Sequence, residues 1–95
     1  MMAAKPQVTA DRARRIGERL GIRWDRFDVE QFRRGMEVEL EHGLRDPVTN
    51  VTDDNMTTTG KIAFAHLNEF PDYYDRLEIM EEEAKQFWNK QQTAP

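Results

Sequence analysis

Residues 37–74 have the sequence EVELEHGLRDPVTNVTDDNMTTTGKIAFAHLNEFPDYY, and this stretch decides how the chain folds. It contains both histidines and most of the residues that form turns. Pro47 keeps the residue before it out of the helical conformation, and Pro71 ends a helix that precedes it. We therefore predict a loop over residues 44–53, a helix on either side of it, and a further helix after Pro71.

Apolar residues recur at the spacing of amphipathic helices along most of the chain. Thr9 and Asp28 stand where N-caps are expected, and Gly21 stands where a left-handed residue would end the first helix. We expect Asp53 or Asp54 to cap the third helix. The predicted fold is all-α, a compact bundle of about four helices at roughly residues 9–20, 29–42, 54–70 and 71–90.

The second predicted helix carries an apolar stripe formed by Val29, Phe32, Met36 and Leu40. Glu39 lies beside this stripe, and a buried carboxylate needs a partner because an unpaired buried charge is very costly. Gly35 costs this helix about 1 kcal/mol relative to alanine. We interpret Gly35 as a position that allows another backbone to approach closely.

The fourth predicted helix is the longest, and Pro71 is well placed as its first residue. We find no heptad repeat sustained over three turns, and we expect Glu81, Glu82 and Glu83 to meet solvent or the arginines of the first helix. Its apolar residues nevertheless form a clear amphipathic stripe, made of Tyr73, Leu77, Met80, Ala84, Phe87 and Trp88.

The composition suits one small domain without cysteine chemistry. The chain has 95 residues, 38% of them hydrophobic and 34% charged, and no cysteine, which excludes disulfides, zinc–thiolate sites and thiol catalysis. No apolar run approaches the ~20 residues that cross a bilayer, so we expect a cytoplasmic protein without a membrane segment. We predict a flexible tail at 1–8, a single helical domain at 9–90 and a frayed tail at 91–95.

Charge is distributed unevenly along the chain. Residues 1–36 carry nine Lys and Arg against five Asp and Glu, whereas residues 37–95 carry five against thirteen. Arg12, Arg15 and Arg19 fall on one helical face, which is the pattern of a phosphate-binding surface. The net charge of −4 disfavours nucleic acid, and attraction between the two halves or solvation of the face explains the pattern equally well.

Two Glu/His pairs have the spacing of metal ligands. Glu39 and His42 are three residues apart on one helix, and His66 and Glu69 are three apart on the next. If these helices pack antiparallel, the four side chains could converge, as Glu-x-x-His pairs do in carboxylate-bridged helical bundles, although His66 and Glu69 stand in the reverse order. A site with two histidines and one or two carboxylates suits Zn, Fe or Mn. Alternatively, His42 stabilises a helix C-terminus and His66 forms a buried hydrogen bond with a glutamate.

Aromatic residues near the ends of elements suggest a binding surface. Tyr73, Tyr74 and Trp88 are candidates because aromatic residues are enriched at binding hot spots, although core packing explains at least one of the tyrosines. Serine is absent, and there is no Gly-rich phosphate loop and no nucleophile motif. The histidines and glutamates could serve in acid–base catalysis, but nothing else in the sequence indicates an active site.

Three segments resemble a small family of uncharacterised proteins from bacteria and their viruses, known as a domain of unknown function. The segments are ADRARRIGERLGIRWDRFDVEQFRRGMEVE (10–39), ELEHGLRDPVTNVTDD (39–54) and TGKIAFAHLNEFPDYYDRLEIMEEEA (59–84). The resemblance implies a compact helical domain. It implies no activity, ligand or catalytic residue.

The sequence therefore favours a non-enzymatic interaction module that binds a protein partner or a second copy of itself, without a cofactor. The alternative is a metal-binding helical protein that uses Glu39, His42, His66 and Glu69.

Overall fold

The computed structural model describes residues 7–93, and these residues form four α-helices with no strand among them. This confirms the predicted all-α bundle. Of the predicted tails at 1–8 and 91–95, residues 1–6 and 94–95 lie outside the described residues. The helices are α1 (Ala10–Arg19), α2 (Val29–Glu39), α3 (Met56–Glu69) and α4 (Tyr73–Thr93), and a single 3₁₀ turn (Leu40–His42) extends α2.

The first two helices begin at the predicted caps. Thr9 Oγ1 accepts a hydrogen bond of 3.1 Å from the Arg12 amide, and Asp28 Oδ1 accepts one of 2.8 Å from the Gln31 amide. Each bond satisfies an amide that has no partner within its own helix. Gly21 follows α1 with φ +79°, a left-handed conformation that glycine adopts without strain.

The predicted cap of α3 is wrong, because Asn55 caps this helix in place of Asp53 or Asp54. Asn55 Oδ1 accepts a 2.9 Å bond from the Thr58 amide. Asp53 and Asp54 have φ angles of 51° and 59°, so the chain turns through them before the helix begins. The Asp54 carboxylate instead accepts a 2.9 Å bond from the Leu44 amide and closes the loop between α2 and α3.

The core lies where α1, α2 and α3 meet, and the start of α4 covers its open side. Phe32, Met36 and Leu40 of the predicted α2 stripe are buried and Val29 is half-buried, and α3 contributes small residues that allow close packing. Gly35 does allow a close approach, but the neighbour is the Tyr74 ring and not a backbone. The buried apolar residues are Val8, Ala13, Ile16, Ile22, Phe27, Phe32, Met36, Leu40, Ala63, Leu67 and Tyr74.

Val8 belongs to this core, although it is the last residue of the predicted tail. Its side chain is 3% exposed, and its amide donates a 2.8 Å hydrogen bond to Glu37 Oε2. Arg33 Nη1 lies 2.9 Å from the same Glu37 oxygen and 3.4 Å from the Val8 carbonyl. An ion pair on α2 therefore fixes the chain just before α1.

α4 packs into the core of the bundle at its first turns, where Tyr74 is buried. Asp72 precedes it, and its carbonyl accepts bonds from the Asp75 and Arg76 amides, so the helix begins two residues after Pro71. Residues 78–91 are all exposed. This exposed part of α4, which we call the arm, lengthens a molecule whose principal extents are 53 × 27 × 20 Å.

Candidate functional site

A buried carboxylate and a buried phenol connect α2 to α4. Glu39 is 5% exposed and Tyr74 is 2% exposed. The Tyr74 hydroxyl donates a 2.8 Å hydrogen bond to Glu39 Oε2. The hydroxyl supplies the partner that the Glu39 carboxylate was predicted to need.

His66 on α3 lies beside this pair. Its ring stacks on Tyr73, with centroids 4.3 Å apart and an angle of 12° between the planes. His66 Nε2 is 4.0 Å from Glu39 Oε2, and His66 Nδ1 is 3.9 Å from Glu69 Oε1. His66 Nδ1 is buried and forms no hydrogen bond.

The electrostatics of the cluster keep both phenols protonated. Burial, the charge of Glu39 and the hydrogen bond to it raise the pKa of Tyr74 far above its usual value. Burial and the charges of Glu39 and Glu69 raise the pKa of Tyr73. The hydrogen bond between Tyr74 and Glu39 joins the start of α4 to the end of α2.

The four predicted metal ligands are divided in the structure. Glu39, His66 and Glu69 lie together, whereas His42 is exposed at the end of the 3₁₀ turn and makes none of their contacts. The His42 carbonyl instead accepts bonds from the Val51 and Thr52 amides in the loop. Within residues 7–93, no group of three or more His, Cys, Asp or Glu side chains is arranged to hold a metal ion.

A second feature is an apolar surface along α4, which we call the α4 stripe. Phe70 just before the helix is 48% exposed, and Met80, Phe87 and Trp88 are 60%, 53% and 62% exposed. The Phe87 and Trp88 rings pack edge to face with centroids 4.9 Å apart. The α4 stripe consists of Phe70, Tyr73, Leu77, Met80, Ala84, Phe87 and Trp88.

The start of the α4 stripe forms a shallow apolar hollow of about 200 Å³. Arg76 borders it, held there by Asp72 at 2.9 Å and by its position 4.4 Å above the Phe70 ring. The hollow is lined by Phe70, Tyr73, Arg76, Leu77 and Met80.

The three predicted interaction residues therefore have different environments. Tyr74 is buried, so core packing explains it. Tyr73 is half-buried between His66 and the hollow, and Trp88 is exposed. Phe70 was not among the residues predicted to bind a partner. Its position before Pro71, at the junction of two helices, was the available signal.

A family model described as a protein of unknown function, DUF5661, matches residues 13–83 of the chain. The chain belongs to this family. This confirms the resemblance to a domain of unknown function. The DUF5661 match includes the Glu39–Tyr74 pair and the hollow, and it ends before Phe87 and Trp88.

Neither a curated protein nor a solved structure matches the chain. Within the part of this DUF5661 protein that the structure describes, no helix is both long enough and apolar enough to cross a membrane.

Proposed function

We propose that this DUF5661 protein is a non-enzymatic interaction module that binds another protein chain through the α4 stripe. The supporting observation is the exposure of Met80, Phe87 and Trp88, each more than half accessible. Methionine and aromatic residues are enriched at the centres of protein interfaces, where a few of them supply most of the binding energy.

The bundle holds the arm in a fixed orientation. Arg34 on α2 pairs with Asp75 at 2.6 Å and with Glu78 at 3.2 Å, and the buried Tyr74 lies on the same side of α4. The first turns of α4 are therefore attached to the core while the later turns extend from it. A helix presented in this way loses little conformational entropy when it binds, which favours affinity.

We place this activity in the cytoplasm. A chain without cysteine is compatible with a reducing compartment, because its fold needs no disulfide.

Recovery of partners by arm variants tests the proposal. The double variant Phe87→Glu/Trp88→Glu is compared with wild type and with Ile79→Glu, which also places a carboxylate on an exposed apolar position of α4 but lies outside the stripe. Proteins that bind wild type and the Ile79 variant are expected to bind the double variant at least 10-fold less, because two aromatic anchors are lost. Equal recovery by all three chains, with no change in self-association, would exclude the stripe as the binding surface.

The alternative function, metal binding, is supported only by the position of His66 between Glu39 and Glu69. A titration with Zn²⁺, Fe²⁺ or Mn²⁺ followed by thermal melting tests it. A metal that raises the melting temperature of wild type and of His42→Ala, but not of His66→Ala, would favour this function over the first. Equal melting with and without metal would exclude it.

A further inference from the structure

We propose that the partner of the α4 stripe is a second copy of the chain, bound antiparallel through α4. In this pair, the Phe87 and Trp88 end of each arm covers the hollow at the start of the other α4. The inference rests on the proposed function, because it names the occupant of the same surface.

The spacing of the α4 stripe is that of a helix that pairs with another helix. Tyr73, Leu77, Met80, Ala84 and Phe87 follow one another at intervals of four, three, four and three residues. This corrects the expectation that no heptad repeat lasts three turns, since the stripe covers about 21 Å of helix, or four turns. A 3.5-residue repeat keeps one apolar seam facing a partner helix along its whole length.

Side-chain size favours the antiparallel direction. When Leu77 of one copy lies opposite Met80 of the other, Ala84 lies opposite Tyr73, and a small residue then accommodates a large ring. The same register brings Phe87 next to Phe70, whose ring lines the hollow. In a parallel pair, Ala84 of one copy would lie opposite Ala84 of the other, between pairs of larger residues. The two small side chains would leave a gap, which costs packing energy.

Charge fixes the register of the antiparallel pair. Arg76 and Glu83 border the same side of the stripe, seven residues apart, and both are exposed. In the proposed register Arg76 of each copy faces Glu83 of the other, and flanking charges of this kind set partner choice and orientation. If one copy were shifted by seven residues along the other, Glu83 would lie opposite Glu83 and Arg76 opposite Lys90. Repulsion between these like charges disfavours the shifted register.

The available area corresponds to a weak but specific dimer. An aromatic side chain has ~150–250 Å² to bury, so each half-exposed side chain of the stripe offers on the order of 100 Å². The two stripes together then bury about 1,000 Å², near the lower end for specific interfaces. We expect a dissociation constant in the micromolar range and not in the nanomolar range.

Cysteine cross-linking tests the direction, and the absence of native cysteine makes the result unambiguous. Ala84→Cys and Tyr73→Cys chains are oxidised separately and as a mixture, after circular dichroism has shown that both fold. We expect disulfide-linked dimers in the mixture and not from Ala84→Cys alone, since two residues 84 lie ~16 Å apart along an antiparallel pair. Cross-linking of Ala84→Cys with itself would overturn the antiparallel direction.

Charge reversal tests the register without changing an apolar residue of the α4 stripe. Sedimentation is expected to show that Arg76→Glu weakens the dimer about 3-fold to 10-fold, and that adding Glu83→Arg restores it. Rescue by Glu81→Arg instead would indicate a parallel pair and contradict the proposal. A wild-type chain that stays monomeric at millimolar concentration would overturn it outright. If arm-dependent binding to another protein persisted in that case, the proposed function would stand; if no arm-dependent binding remained, both would fail.

Discussion

The Glu39–Tyr74 hydrogen bond is the most informative contact at the scale of single residues. The position of Glu39 could be predicted, because helical spacing places it beside the stripe of α2. Its partner is 35 residues away in sequence, and no spacing rule connects the two. Tyr74 was known only as one of two neighbouring tyrosines, and which of them enters the core depends on how α4 is rotated.

Tyr74→Phe is expected to destabilise the protein by about 1–3 kcal/mol. The ring still fills its site, but the carboxylate of Glu39 loses its hydrogen-bond donor while remaining buried. Urea unfolding followed by circular dichroism measures the change. Tyr73→Phe is the matched control, because the Tyr73 ring stacks on His66 through its face and the stack survives loss of the hydroxyl. Equal stability of the two variants would show that the Glu39 bond contributes nothing.

The raised pKa of Tyr74 predicts a loss of stability in alkali. An unfolded tyrosine ionises near pH 10, whereas folded Tyr74 keeps its proton because of burial and the charge of Glu39. The folded state then binds more protons than the unfolded state, so the free energy of unfolding falls as pH rises past about 10. Unfolding curves between pH 8 and pH 11 are expected to show a steeper fall for wild type than for Tyr74→Phe. Parallel curves would contradict this assignment.

At the scale of elements, helix starts and stops follow local chemistry, with two exceptions: the cap of α3, and the start of α4 at Tyr73 and not at Pro71. Thr9, Asp28 and Gly21 act as predicted. Asp53 and Asp54 do not cap, because both take left-handed conformations and Asp54 bonds to Leu44 across the loop. Composition cannot distinguish three consecutive capping residues, since the choice depends on where the loop must close.

Asn55→Ala is expected to cost about 1 kcal/mol, the usual effect of removing an N-cap side chain. The bond that it removes is the one from the Thr58 amide to Asn55 Oδ1. Thermal melting compares this variant with Asn55→Asp, which keeps an acceptor at the same position and is expected to melt close to wild type. A melting temperature for Asn55→Ala equal to that of wild type would mean that α3 is capped elsewhere.

At the scale of the whole molecule, the structure separates a packed bundle from an exposed arm. The predicted attraction between the basic first half and the acidic second half appears in the Arg34 pairs with Asp75 and Glu78. Glu81, Glu82 and Glu83 are exposed to solvent, which is one of the two environments expected for them.

Removal of the end of the arm is expected to leave the bundle folded. A chain that stops at Ala84 keeps Tyr74 and the Arg34 pairs, so at nanomolar concentration it should melt within a few degrees of wild type. At high protein concentration the melting temperature of wild type should rise and that of the truncated chain should not, because association stabilises the folded state by mass action. A chain that stops at Asp72 loses Tyr74 and is the contrasting control, expected to be unfolded. A large loss of stability on truncation at Ala84 would show that the arm packs on the bundle.

The sequence by itself determined the all-α class, the approximate bounds of four helices, the stripe of α2 and the family to which the chain belongs. The helix bounds and the α2 stripe follow from short-range chemistry, because caps, prolines, glycines and the 3.6-residue period act within a few residues of one another. Only the tertiary structure decided that Tyr74 is the partner of Glu39, that His42 lies apart from His66, and that the α4 stripe is exposed from Met80 onward. Those outcomes depend on the rotation and length of α4 relative to the bundle. An amphipathic pattern shows that a helix has an apolar face. The pattern is the same whether that face packs on the protein's own core or remains exposed.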